Sequence, residues 1–325
     1  MTEATALNLN ANDVRTSPHP VLSYSPVVLP VPGRPADLQL RVTAPATGSA
    51  GLPVILLSHG HGGALNLSSL NGYAPLAQPW AAAGFVVIQP THLSSRTLSH
   101  LWETDPAAPF FWRSRAEDMS RILDRLDEIE RAVPQLAGRL DHDKVAVAGH
   151  SLGGFTAELL LGAQVTDPDT GEKVSLLEPR IKQGVLLAAP GRGGDALNGW
   201  MAEEAPIFRS IDLATMSRPA LVVAGDKDDS PHFTDMGPAW HYDPYHLAPG
   251  PKTLLTVFDG EHLLGGIQGY DAAETTDENP ARVAAIAELG AAYLRSRFHP
   301  GDNAWQVAQD ALTTGPGAVG RVESK

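Results

Sequence analysis

The sequence predicts an α/β fold, with a mostly parallel central sheet of about eight strands and helices on both faces. Three observations carry that prediction. Short runs rich in β-branched residues recur along the chain, each bounded by Gly or Pro. The runs are apolar almost throughout, as in strands covered on both faces. Between them lie stretches with the 3.6-residue period of amphipathic helices.

Residues 1–22 are polar and interrupted by proline, and are expected to form a loose arm. Runs at 27–31 and 38–43 are expected to open the sheet as an antiparallel hairpin. Buried strands are expected at 53–58 (PVILLS), 85–89 (FVVIQ), 144–148 (KVAVA), 184–188 (GVLLA), 220–224 (ALVVA) and 253–258 (TLLTVF). Helices are expected at 74–83, 114–133, 151–161 and 279–297, and in the second Met119, Ile122, Leu123, Leu126 and Ile129 form one stripe. These elements make one domain over 23–299, while 300–325 reads as a weakly patterned, mobile C-terminal tail.

Two segments break the alternation. Residues 91–112 carry Leu98, Leu101, Trp102, Phe110, Phe111 and Trp112; residues 191–217 carry Trp200, Met201, Ile207 and Phe208. Loops this long in an α/β domain are usually functional or disordered, and the apolar content argues against disorder. They either pad the core edge or wall a pocket above the strand ends. Trp102, Phe111, Trp112 and Trp200 are the candidate wall residues, and 191–217 is a candidate small cap.

Composition narrows the function. Of 325 residues 43% are hydrophobic and 19% charged, which suits a soluble protein with a sizeable core. A net charge of −13 without any basic run argues against nucleic acid as a partner. The absence of cysteine excludes disulfides, Cys–zinc sites and thiol catalysis. No secretory leader is visible, and no stretch nears the roughly 20 apolar residues of a membrane span, so a cytoplasmic location is expected.

The main chemical signal is Gly149-His150-Ser151-Leu152-Gly153, followed by Gly154, at the end of a strand and the start of a helix. A serine on such a turn is forced into strained backbone with Oγ projecting clear, and small flanking glycines allow the close approach. Ser151 needs a base, and the base needs an orienting acid. His262 follows the strand at 253–258 and is the candidate base. The strand at 220–224 runs into Asp226, Asp228 and Asp229, of which Asp228 is preferred as acid; Asp195 is an outside candidate. The N–H of Leu152 and that of His61, in the loop His59-Gly60-His61-Gly62-Gly63, are candidate oxyanion donors. Neither the His59/His61 pair nor the segment 241–246 (HYDPYH) offers a fixed set of metal ligands, so no metal or cofactor is expected; the latter reads as a surface or pocket-rim loop.

HGHGG after a strand, GHSLGG at a strand–helix turn, AGDKDDSP after a strand and DGEH before the last long helix together resemble the α/β-hydrolase superfamily over residues 26–298. The pattern is similar to the dienelactone-hydrolase-like branch, with its chlorophyllases, platelet-activating-factor acetylhydrolases and cutinase-like enzymes. The resemblance implies the α/β-hydrolase fold, a cofactor-free esterase, His61 as oxyanion donor, and Asp228 as acid, three residues beyond Gly225. No aspartate directly follows Ala188-Ala189-Pro190, a departure from members that carry the acid one strand earlier.

The resulting expectation is hydrolysis of a small-molecule ester with apolar surface through an acyl-enzyme. Amide, thioester, carbamate or lactone cleavage and perhydrolysis use the same groups, so the scaffold does not separate them. A binding protein has no need of Ser151, Asp228 and His262 together.

Overall fold

A computed structural model describes residues 19–64, 66–103, 105–269, 272–314 and 318–325. The expected hairpin is present as β1 (Val21–Leu29) paired antiparallel with β2 (Leu38–Pro45). Pro26 lies at the register shift between Tyr24 and Val27, where an edge strand tolerates a missing N–H. β3 (Leu52–Ser58), α1 (Ala74–Ala82) and β4 (Val86–Pro90) follow. Along β3, Val54 and Leu56 enter one core while Ile55 and Leu57 enter the other. Burial on both faces is why the run shows no polar alternation.

α2 (Trp112–Asp124) and α3 (Leu126–Ala132) occupy the span expected as one helix. The break is at Arg125, at φ −126° and ψ 23°, whose guanidinium holds the Pro30 carbonyl and the Glu128 carboxylate. β5 (Leu140–His150) and α4 (Leu152–Leu160) come next, then a small hairpin of β6 (Gln164–Thr166) and β7 (Lys173–Ser175) that the sequence reading lacked. β8 (Ile181–Leu187), α5 (Gly199–Glu204), β9 (Ala220–Gly225), α6 (Asp243–His246), β10 (Lys252–Val257) and α7 (Pro280–Phe298) complete the alternation. The Asn279 side chain caps α7 with Pro280 at its first position, a sequence-coded helix start.

The segment after residue 300 is ordered structure rather than a loose tail. α8 (Ala304–Thr314) buries Ala308 and Leu312 in the α7-side core, and β11 (Gly320–Ser324) pairs antiparallel with β10. The sheet therefore has nine strands in the order β1-β2-β4-β3-β5-β8-β9-β10-β11. All neighbours from β4 to β10 pair parallel, with antiparallel pairs at both ends. The segment 191–217 forms α5 and short 3₁₀ turns, with Leu197, Met201, Ile207, Phe208, Leu213 and Met216 buried in the core. Among the described residues no helix is long and apolar enough to cross a membrane.

α4 is buried on every side, and this creates one conflict. Neither carboxyl oxygen of Glu158 has a hydrogen-bond partner. Burial, reinforced by the charge of Asp243, pushes the Glu158 carboxyl well above the usual carboxylate range. A raised folded-state pKa stabilises the fold fully below the unfolded value, near 4.3, and that contribution is lost as pH rises through the folded value. Glu158→Gln should therefore gain stability over wild type between pH 5 and pH 9. Urea unfolding at both values measures this, and an equal difference at the two would refute it.

Candidate active site

The site sits at the carboxyl edge of the parallel strands, starting with the turn between β5 and α4. Ser151 has φ 54° and ψ −119°, a conformation that L residues rarely adopt. Its N–H donates to the Leu187 carbonyl at 3.0 Å, tying the turn to β8. A Cβ on Gly149 would lie 2.0 Å from the Gly153 carbonyl oxygen, and one on Gly153 would lie 2.1 Å from that of Ser58. Only glycine lets the turn close this tightly.

The loops after β9 and β10 are bound to each other before they reach the serine. Asp226 N–H donates to Val257 O (3.0 Å) and Lys227 N–H to Gly260 O (2.9 Å). Gly225 permits the contact, since a Cβ there would lie 2.0 Å from Gly260 O. His262 Nδ1 is 2.8 Å from Asp228 Oδ2, and its Nε2 is 2.9 Å from Ser151 Oγ. With Nδ1–H donating to the carboxylate, Nε2 is left with a lone pair facing the hydroxyl. Burial opposes charge on Asp228, but His262 and His241 hold its carboxyl well below the usual range. The other acid candidates are elsewhere: Asp226 accepts the Asp259 N–H, while Asp229 and Asp195 are exposed.

Three hydrogen bonds, through the rings of Tyr73 and His150, tie the glycine-rich loop to this edge. Gly60 N–H donates to the Tyr73 oxygen (2.9 Å), the Tyr73 hydroxyl donates to His150 Nδ1 (2.9 Å), and His150 Nε2–H donates to the His262 carbonyl (2.8 Å). Burial holds His150 neutral at a pKa of about 3, which this pattern of one donor and one acceptor nitrogen requires. His59 is consumed in the same way, donating to Gly60 O and accepting the His92 N–H. His61 and Leu152 line the cleft over Ser151. Leu152 opens α4, where first-turn N–H groups have no intrahelical partner and favour negative charge.

The cleft encloses about 440 Å³, part of it open to solvent, and its apolar wall is Phe110, Phe208, Phe233 and Trp240. Of the expected wall residues, Trp102 stacks on the His61 ring at 5.9 Å, behind the lining. Phe111 is a core residue, because its αL backbone at the start of α2 turns the chain inward. Trp112 packs beside the core under Arg113. The Trp200 side chain lies outside the described residues.

His241, Ser230, Phe233 and Trp240 were not anticipated. The segment expected as a surface or pocket-rim loop does bring His241 to the cleft, but His241 is buried there, with Nε2 3.2 Å from Asp228 Oδ2. Asp228, His241 and His262 form the one inner cluster of metal-type ligands among the described residues. Their direct contact at 2.8 Å between Asp228 and His262 is shorter than the ~3.3 Å ligand separation of a tetrahedral site with bonds of ~2.05 Å. The three are arranged as hydrogen-bond partners. No protein-family model matches the chain, and no curated protein is significantly similar to it.

Tyr73→Phe would leave the Gly60 N–H and His150 Nδ1 buried without partners, at about 1–3 kcal/mol each. Urea unfolding should show a loss of about 2–6 kcal/mol with an unchanged slope. A loss below about 0.5 kcal/mol would show that the hydroxyl does not hold the loop.

Proposed function

We propose that this chain is a serine hydrolase of the α/β-hydrolase type, similar to the dienelactone-hydrolase-like branch, that cleaves carboxylic esters through an acyl-enzyme. The observation that carries the reading is the unbroken line from Ser151 Oγ through His262 to Asp228, with contacts of 2.9 and 2.8 Å. His262 Nε2 takes the Ser151 proton as Oγ attacks the ester carbonyl. The tetrahedral oxyanion is met by the N–H groups of Leu152 and His61. His262 then gives its proton to the departing alkoxide, which leaves as the alcohol, and the acyl group stays on Ser151. Water, deprotonated by His262, adds to the acyl carbonyl, and collapse of that intermediate frees the acid and restores Ser151. Asp228 remains ionised throughout and keeps the imidazole in the required tautomer.

The four aromatic side chains of the wall favour an uncharged apolar group beside the scissile bond. Wild-type protein should release p-nitrophenol from acetate, butyrate or octanoate esters, and a fluorophosphonate should add covalently to Ser151. Ser151→Ala should lose activity by several orders of magnitude, and Asp228→Asn by roughly 10⁴-fold, while Asp226→Asn and Asp229→Asn stay within a few-fold. A chelator should leave the rate unchanged. No turnover of any ester together with no labelling of Ser151 would sink the reading.

A further inference from the structure

Asp228 has more partners than an orienting acid needs. His262 Nδ1 lies 2.8 Å from Oδ2, His241 Nε2 lies 3.2 Å from the same oxygen, and the Ser230 hydroxyl donates to Oδ1 at 2.6 Å. Ser230 has φ 41°, a strained value that aims its hydroxyl at the carboxylate. The Asp228 side chain is fully buried and that of His241 1% exposed, while Ser230 and His262 are partly open to solvent.

Counting hydrogens fixes the state of His241. Its Nδ1 is 2.8 Å from the Ala189 carbonyl oxygen, which can only accept, so Nδ1 carries a hydrogen. Its Nε2 faces Asp228 Oδ2 and also Ser230 Oγ at 3.0 Å. The single Ser230 hydrogen is already directed to Asp228 Oδ1. A bare Nε2 would set a lone pair against a carboxylate, so Nε2 carries a hydrogen as well. Either neutral tautomer leaves two acceptors facing each other in a buried site, which is costly.

We infer that His241 is a cationic positioning residue, an imidazolium that shares Asp228 with His262 and tempers the charge that His262 feels. The inference rests on the proposed hydrolase reading. In the resting site Asp228 and His241 form a neutral pair. When His262 accepts the Ser151 proton, it becomes a second cation, with ring centres 5.5 Å apart, on one carboxylate. His262 is thereby kept free as a base to lower pH and surrenders its proton to the leaving group more readily. Other titratable and charged groups surround His241. His150 from the end of β5 is neutral; Asp243 and Tyr242 follow on α6 and the turn before it; Asp243 is engaged by Arg192 from the loop after β8. None of them donates a hydrogen bond to the bare nitrogen that a neutral His241 would present.

The test has one arm on structure and one on catalysis. In ¹⁵N-histidine-labelled Ser151→Ala protein at pH 7, side-chain spectra assigned with His241→Gln should show both His241 nitrogens protonated. With active enzyme, His241→Phe should move the acid limb of kcat/KM upward by roughly one pH unit and lower kcat. His241→Gln keeps a neutral donor to Asp228, so it should recover much of kcat while leaving the acid limb shifted. That split would not arise from a packing role. A bare nitrogen on His241 at neutral pH, or an acid limb unmoved in both variants, would overturn the inference. Absence of any esterase activity would instead refute the hydrolase reading, with the spectra still deciding the state of His241.

Discussion

The strained backbone of Ser151 is the constraint on which the rest of this structure depends. A non-glycine residue at φ 54° and ψ −119° costs on the order of 1–3 kcal/mol and persists only where its surroundings over-determine it. Here they do so from several directions. β8 takes the Ser151 N–H, α4 is clamped by burial along its whole length, and the carbonyl oxygens of Gly153 and Ser58 occupy the space where Cβ atoms would be. The return for the strain is orientation: Oγ stands at the strand ends, with the amino end of α4 behind it.

Beneath the glycine-rich loop lies a buried polar layer that fixes it from below. Arg115, with no exposed surface, donates to Ser58 Oγ (3.0 Å), Thr156 Oγ1 (2.9 Å), Ser94 Oγ and the His59 carbonyl. Ser58 in turn donates to His92 Nε2, and His92 Nδ1–H to Asp118, whose carboxylate also takes two hydrogen bonds from Arg34. Every polar atom in that chain has one consistent role. Burial draws the Arg115 guanidinium down to a pKa of about 9, so it still carries its charge at neutral pH. That cation joins α2, α4 and the end of β3. Ser58, His92 and Asp118 repeat the serine–histidine–aspartate pattern entirely out of contact with solvent.

The fold was legible wherever residues answer to burial on two faces. Runs such as PVILLS and ALVVA are strands because nothing polar could occupy either side. What escaped was decided by tertiary contact. The kink at Arg125 leaves the apolar stripe intact, and among its described side chains α8 fully buries just Ala308 and Leu312 before a glycine-rich stretch, too little pattern to mark a helix. β11 exists because β10 offers it an edge. The line of Ser151, His262 and Asp228 could be anticipated because each stands just beyond a buried strand. His241 could not, since it lies on a 3₁₀ turn after a loop, and only the fold brings it to Asp228. The wall aromatics show the same limit: composition flagged the right loops, yet backbone direction at Phe111 exchanged it with Phe110 as the lining side chain.

His61 shows how one residue can serve two opposing demands. Its ring, stacked on Trp102 and packed against Phe110, is held neutral by burial and by the nearby Arg115 charge, with a pKa of about 4. The side chain is thus an uncharged wall, and the charged groups near Ser151 lie behind it, paired within the protein. In the proposed reaction two charges arise at the cleft, the His262 imidazolium, which is paired with Asp228, and the oxyanion, which is met by backbone: the His61 and Leu152 N–H groups and the end of α4. A cationic His61 would bind anionic ground states as well as the transition state, which does nothing for the chemical step. Fixed N–H dipoles in an apolar surround respond most strongly where charge develops, so the aromatic wall and the neutral histidine are parts of the same device.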